Sequence, residues 1–189
     1  MRAMAVDYSG KCGAPCLVVM VDRIVGGKAR SWAWQLESKA EGVEKSTAHP
    51  KKEGWIVFRG REFDNPRNGQ LLFSESSPIE DDQRIALHDD GFTFTQDDAT
   101  MRATFVTPAK PRMELAEKAQ YRDGPKGSVR RDSSRAIFAS GGDQFFVVLT
   151  FQKGPAPKVE VLGGKGLDAK VKVGGQTVRF DGEKIHFGD

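Results

Sequence analysis

Apolar and polar residues alternate along much of the chain with a period of two, the repeat of a strand and not of a helix. Cys16 to Val25 is apolar and β-branched, as a buried strand should be, and Gly26-Gly27-Lys28 follows as a turn. Arg30 to Glu37 then places Trp32, Trp34 and Leu36 on one face. The two segments are expected to form a hairpin, with Trp32 and Trp34 turned to the core. Trp55-Ile56-Val57-Phe58 supplies a further short strand. Phe92 to Thr95, a turn at Gln96-Asp97-Asp98 and Thr100 to Val106 predict a second hairpin, and Gln144 to Gln152 is the most hydrophobic strand after the first.

The last forty residues read as a meander. Lys158 to Leu162, Leu167 to Val173, Thr177 to Phe180 and Lys184 to Phe187 are separated by Gly163-Gly164, Gly174-Gly175 and Asp181-Gly182. Such dipeptides supply the positive φ that type I′ turns need. Met113 to Ala119 fits either a short helix or a short strand, while residues 38–54, 59–90 and 121–135 read as polar connections. The pattern predicts an all-β chain, a two-sheet antiparallel β-sandwich or jelly roll forming one domain over residues 1–189. A site is expected in the irregular stretch from 59 to 90, because long polar connections often carry function.

Composition narrows the partners. A net charge of +3 with no dense Lys/Arg stripe argues against a dedicated nucleic-acid binder and leaves a polyanionic sugar as compatible as any other partner. No apolar run approaches the roughly 20 residues of a membrane span, so no membrane partner is expected. The opening Met1-Arg2-Ala3-Met4-Ala5-Val6-Asp7-Tyr8 lacks the apolar stretch of a signal peptide, which leaves localisation open. Exposed edges in so strand-rich a chain could be covered by homodimerisation.

Candidate chemistry is sparse. His88 beside Asp89 and Asp90 is the best local grouping for a base oriented by a carboxylate, set against an ordinary Asp-Asp-Gly turn. Glu62 and Asp64, on one side of an extended segment, are the carboxylates considered for glycoside hydrolysis. Trp55, with Arg59 and Arg61, could stack on sugar rings and pair with uronate carboxylates. His49, His88 and His186 are too scattered for a metal site, and Cys12 and Cys16 have no companion ligand motif, so no metal is assigned and the cofactor is unknown. The two cysteines read as ordinary thiols, with a redox or copper role as the sharper alternative. No G-x-S-x-G elbow, P-loop or dinucleotide-binding glycine motif joins a strand to a helix.

The order of hydrophobic motifs adds a resemblance. Val18 to Ile24, then Trp32 and Trp34, Phe92-Thr93-Phe94, Ala99 to Pro108 and Phe145 to Thr150 together resemble the C-terminal β-sandwich region of heparinase II/III-like polysaccharide lyases, over most of the chain. Such lyases join an α/α toroid to β-sandwich domains and cleave uronic-acid polysaccharides by β-elimination, with Tyr and His moving the proton. The sequence has no toroid segment, so none of those groups is carried over. The resemblance implies the architecture and a link to acidic polysaccharide, bound or cleaved. A non-catalytic carbohydrate-binding or structural module is one alternative; a hydrolase or metal-dependent oxidative enzyme acting on plant polysaccharide is the other.

Overall fold

The computed structural model describes residues 1–27, 30–79 and 82–188. The described chain is almost entirely β, with no α-helix and one 3-10 turn, Gly166–Asp168, and it forms several antiparallel sheets. No described helix is long and apolar enough to cross a membrane. The chain divides into two compact units.

Unit 1 comprises Met1–Trp32, Asp81–Met113 and Ala139–Asp189. Its strands are β1 (Arg2–Asp7), β2 (Cys16–Arg23), β8 (Ile85–His88), β9 (Gly91–Gln96), β10 (Ala99–Thr107), β13 (Gln144–Gln152), β14 (Val159–Gly163), β15 (Lys170–Val173), β16 (Gln176–Phe180) and β17 (Ile185–Gly188). Six of them form a sheet in the order β1-β2-β13-β10-β9-β8, and the last four a second sheet, β14-β15-β16-β17, in which each strand pairs with its sequence neighbour. The two sheets face each other across one core, in which Leu17, Val19, Val21, Phe146 and Val148 meet Val171, Val173, Val178 and Phe180. This is a β-sandwich. Phe145 to Leu149 are buried without alternation because both faces of β13 are covered. On the face away from the second sheet, Trp32 meets Phe105 edge-on, with ring centroids 5.3 Å apart, and lies 6.4 Å from Phe92. Trp32 is therefore core, as its alternation implied, while Trp34 and Leu36 are half-buried.

The hairpin expected between Cys16 to Val25 and Arg30 to Glu37 does not form. β2 ends at Arg23, both of its edges are taken by β1 and β13, and the following strand belongs to another sheet. Lys28 of the expected turn lies outside the described residues. The 92–106 hairpin is present, Gln96 pairing with Ala99 around Asp97 at φ +54°. The C-terminal meander also follows the sequence reading, although its turns differ in kind. At Gly174-Gly175 only Gly174 has positive φ, as at the first position of a type II′ turn.

The β16 to β17 loop is organised by Asp181. One carboxylate oxygen accepts the backbone N–H groups of Glu183 (2.9 Å) and Lys184 (2.7 Å), and the other meets His186 Nε2 at 2.5 Å. These bonds, the two backbone donors foremost, hold the Asp181 carboxyl well below its ordinary 3.8. Folding therefore releases a proton here. The stabilisation is complete above the unfolded value and is lost as pH falls through the lower folded one. Asp181→Asn is expected to flatten the loss of stability between roughly pH 4 and pH 2, read as urea midpoints. Equal losses in parent and variant would show that these bonds contribute nothing to the acid response.

Unit 2, Ala33–Glu80 and Glu114–Phe138, holds most of β3 (Ser31–Lys45), β11 (Arg112–Asp123) and β12 (Ser128–Ser140), together with β7 (Leu71–Pro78), in the sheet order β3-β12-β11-β7. A small sheet, β4 (Thr47–Ala48), β5 (Ile56–Phe58) and β6 (Arg61–Phe63), completes it. Phe58, Ala119, Tyr121 and Val129 form its buried cluster, with Ile56, Phe63, Leu72 and Phe73 against it. Three polar connections were expected where strands stand. β3 continues to Lys45, β7 fills Leu71–Pro78, and β12 starts at Ser128. Each carries charged or hydroxyl side chains where apolar ones would have signalled a strand. Met113 to Ala119 is strand, not helix.

Candidate functional site

Within unit 2 the candidate side chains gather on the β4-β5-β6 sheet. Phe58 pairs with Arg61, so Arg59 and Gly60 form a two-residue turn, with φ of +49° and +74°. Both positive values mark a type I′ turn. A left-handed backbone is costly for a residue bearing a Cβ, and strain of this kind persists only where surrounding contacts hold it. Arg59 has such contacts. Its Nη1 donates to Tyr121 Oη at 2.8 Å, while Nη2 and Nε donate to the two oxygens of Glu44 at 2.7 and 3.3 Å. The guanidinium carbon lies 4.7 Å from the centre of the Tyr121 ring.

Arg61 repeats the theme one step along. Its guanidinium stands 4.1 Å from the centre of the Phe73 ring and 3.5 Å from Glu75. Phe73 in turn stacks on Phe63, at 5.9 Å and 6°, and on Tyr121, at 4.5 Å and 22°. Lys52 makes a third such pair, its ammonium 4.0 Å above the Trp55 ring. All three cations remain about half exposed.

Glu62 sits between Lys52 Nζ, at 2.6 Å, and His49 Nε2, at 3.1 Å. The backbone N–H of Lys51 donates to His49 Nδ1, so in the neutral ring the proton lies on Nε2 and points to Glu62. The bond from Lys52, then that from His49, holds the Glu62 carboxyl below its usual range. It stays ionised at neutral pH and is a poor general acid. Tyr121 tends the other way. Burial pushes its phenol above the ordinary 10 despite the opposing pull of Arg59, so it stays protonated.

Asp64 lies in the bend that follows β6 and accepts the Asn65 amide at 2.7 Å. A second feature of unit 2 is a polar pocket of about 140 Å³ lined by Gln35, Lys118, Gln120, Asp132, Ser133 and Ser134.

The remaining candidates lie in unit 1. His88 ends β8 and its Nε2 meets Thr93 Oγ1 at 2.9 Å, on the border of an open cleft of about 420 Å³ lined by Leu87, Asp89, Lys110, Pro111 and Met113. Asp90 forms an ion pair with Arg102, whose guanidinium also donates to the carbonyls of Phe92 and Ala103. This carboxylate anchors a hairpin rather than orienting His88. Cys12 is buried against the Ala14 carbonyl at 3.5 Å, and Cys16 is half-buried with its thiol pushed up by burial. Among the described residues, no group of three or more His, Cys, Asp or Glu side chains could hold a metal ion.

Five sequence candidates therefore fall in unit 2, at Trp55, Arg59, Arg61, Glu62 and Asp64, and two in unit 1, at His88 and Asp90. The sequence reading passed over Tyr121, Glu44, Glu75, Phe73 and Lys52. No local spacing could have found Tyr121, 62 positions from Arg59. No protein-family model matches the chain, and neither a curated protein nor a solved structure matches it.

Proposed function

We propose that the protein is a carbohydrate-binding β-sandwich module, related to the C-terminal region of heparinase II/III-like lyases, that binds acidic polysaccharide. The observation that carries this reading is the row of cations seated on aromatic faces, Lys52 on Trp55, Arg59 on Tyr121 and Arg61 on Phe73. Each ring holds its cation in place, and the half-exposed head groups keep N–H donors in hand. Glu44 and Tyr121 take three of the five N–H groups of Arg59. Uronate carboxylates suit such donors, because charge-assisted bonds to guanidinium are short, strong and directional. The polar pocket of Gln35, Lys118, Gln120, Asp132 and Ser134 adds groups that match sugar hydroxyls.

The reading is one of binding because Glu62 is engaged by Lys52 and His49, and Asp90 by Arg102, while the cations seated on aromatic rings keep donors exposed.

Affinity electrophoresis through alginate, heparin, hyaluronan and glucuronan is expected to retard the protein, with neutral dextran leaving it unmoved. Arg61→Ala is expected to weaken binding at least about tenfold, the equivalent of about 1.4 kcal/mol, and added salt to weaken the parent further. Equal mobility in acidic and neutral gels would overturn the proposal. Ultraviolet absorbance from an unsaturated uronate product would show cleavage instead and displace the non-catalytic form.

A further inference from the structure

The second sheet of unit 1 turns one face to the core and the other to solvent. Val171, Val173, Val178 and Phe180 point inward, so alternation puts Lys170, Lys172, Thr177 and Arg179 on the outer face. The ladder sets Lys170 directly opposite Arg179, and Arg179 directly opposite His186. Basic side chains therefore cross β15, β16 and β17 in a row, about 4.8 Å from one strand to the next. Like charges that face each other across a ladder oppose strand pairing.

The acids of this face are already engaged. Glu160, opposite Lys172, pairs with Lys158 at 2.6 Å. Asp181 holds the N–H groups of its own loop and His186 Nε2. The exposed side chains of Lys170 and Arg179 have no hydrogen bond or ion pair among the described residues. In unit 2, by contrast, Lys52, Arg59 and Arg61 are each shared with a carboxylate, of Glu62, Glu44 and Glu75 respectively.

We infer that this outer face is a second contact surface for acidic polysaccharide, in which one carboxylate or sulfate of the polymer is held between Lys170 and Arg179. The ligand class rests on the reading given above, while the place is a different sheet in the other unit. An anion between the two cations removes the repulsion built into the ladder. The guanidinium fork takes two oxygens of the anion and the ammonium supplies a point charge beside it. Thr177 shares the face with Arg179 and offers its hydroxyl to a sugar hydroxyl. The strand spacing is close to the length of one sugar ring, so successive rings of a polymer lying across the strands pass over Lys170, Arg179 and His186 in turn. Nucleic acid suits the face less. Its described residues include no Trp, Tyr or Phe on which bases could stack, and a duplex binder commonly neutralises about six or more phosphates.

Titration with alginate and heparin hexasaccharides is expected to shift the backbone amide resonances of residues 170–179 as well as those of 52–61. Lys170→Glu, at an exposed position, sets an opposite charge beside Arg179. It is expected to raise the urea midpoint while weakening the response at 170–179 about fivefold or more. Shifts at 52–61 alone, a Lys170→Glu protein that binds like the parent, or a midpoint that does not rise would each overturn the inference and leave the earlier reading standing. Shifts in neither segment would remove both. Duplex DNA that moves the 170–179 amides at lower concentration than either hexasaccharide would overturn the inference in favour of nucleic acid.

Discussion

Phe146→Ala is expected to destabilise the protein by about 3–5 kcal/mol, the usual cost of emptying an aromatic core position. Phe146 is fully buried on β13, faces Val21 and Thr107 across the ladders on either side, and belongs to the core between the two sheets of unit 1. The cavity would open at the centre of a close-packed layer whose walls are strands fixed by their own hydrogen bonds, so collapse around it is restricted. The loss should appear as a lowered urea midpoint with an unchanged slope. Val161→Ala, on an exposed β14 position, serves as the control and should move the midpoint little. A Phe146→Ala loss below about 1 kcal/mol would mean that the core is looser than its burial implies.

Gly174→Ala should be the most damaging of the turn substitutions. Its φ of +54° lies in the left-handed region, and a Cβ built there would stand 2.0 Å from the Cys12 carbonyl oxygen. The backbone conformation alone costs a residue with a Cβ about 1–2 kcal/mol, and displacing the Cys12 backbone adds to it. Gly10→Ala separates the two effects, since Gly10 has φ +74° but nothing within 4 Å of its Cβ position. Urea unfolding of the two variants should rank Gly174→Ala clearly below Gly10→Ala. Equal midpoints would show that the Cys12 segment yields without resistance.

Fold class was legible because turn chemistry and alternation agree where the core is apolar. The meander after Val159 and the 91–107 hairpin both have glycine or aspartate at the turn and apolar residues on one face. The sandwich core draws on these strands. Legibility failed where strands are polar. β12 carries Arg130, Arg131, Asp132, Ser133 and Ser134 in succession, and backbone pairing makes it a strand that side-chain hydropathy does not reveal. Trp32 was readable from its period-two partners, whereas the expected hairpin failed because sequence cannot show that both edges of β2 are already occupied.

The site was legible in part. Trp55 was singled out for stacking on sugar rings and Arg59 and Arg61 for pairing with uronates, yet the rings under the two arginines come from β11 and β7, far along the chain. Glu62 looked like a catalytic carboxylate because residue type shows nothing of a neighbour such as Lys52, which fixes its charge. The partner of Asp90 is equally hidden from the sequence, Arg102 lying 12 residues away on a paired strand.

The small β4-β5-β6 sheet has a consequence for how binding and local order are linked. Strands of two and three residues cannot persist alone, so their order depends on Phe58 and Phe63 packing beneath and on Arg59 reaching Tyr121. An anion that bridges Lys52, Arg59 and Arg61 would draw the same ribbon together from outside. Ligand occupancy and ribbon closure would then be one equilibrium, so that an anion gripping the three cations would also stiffen the ribbon.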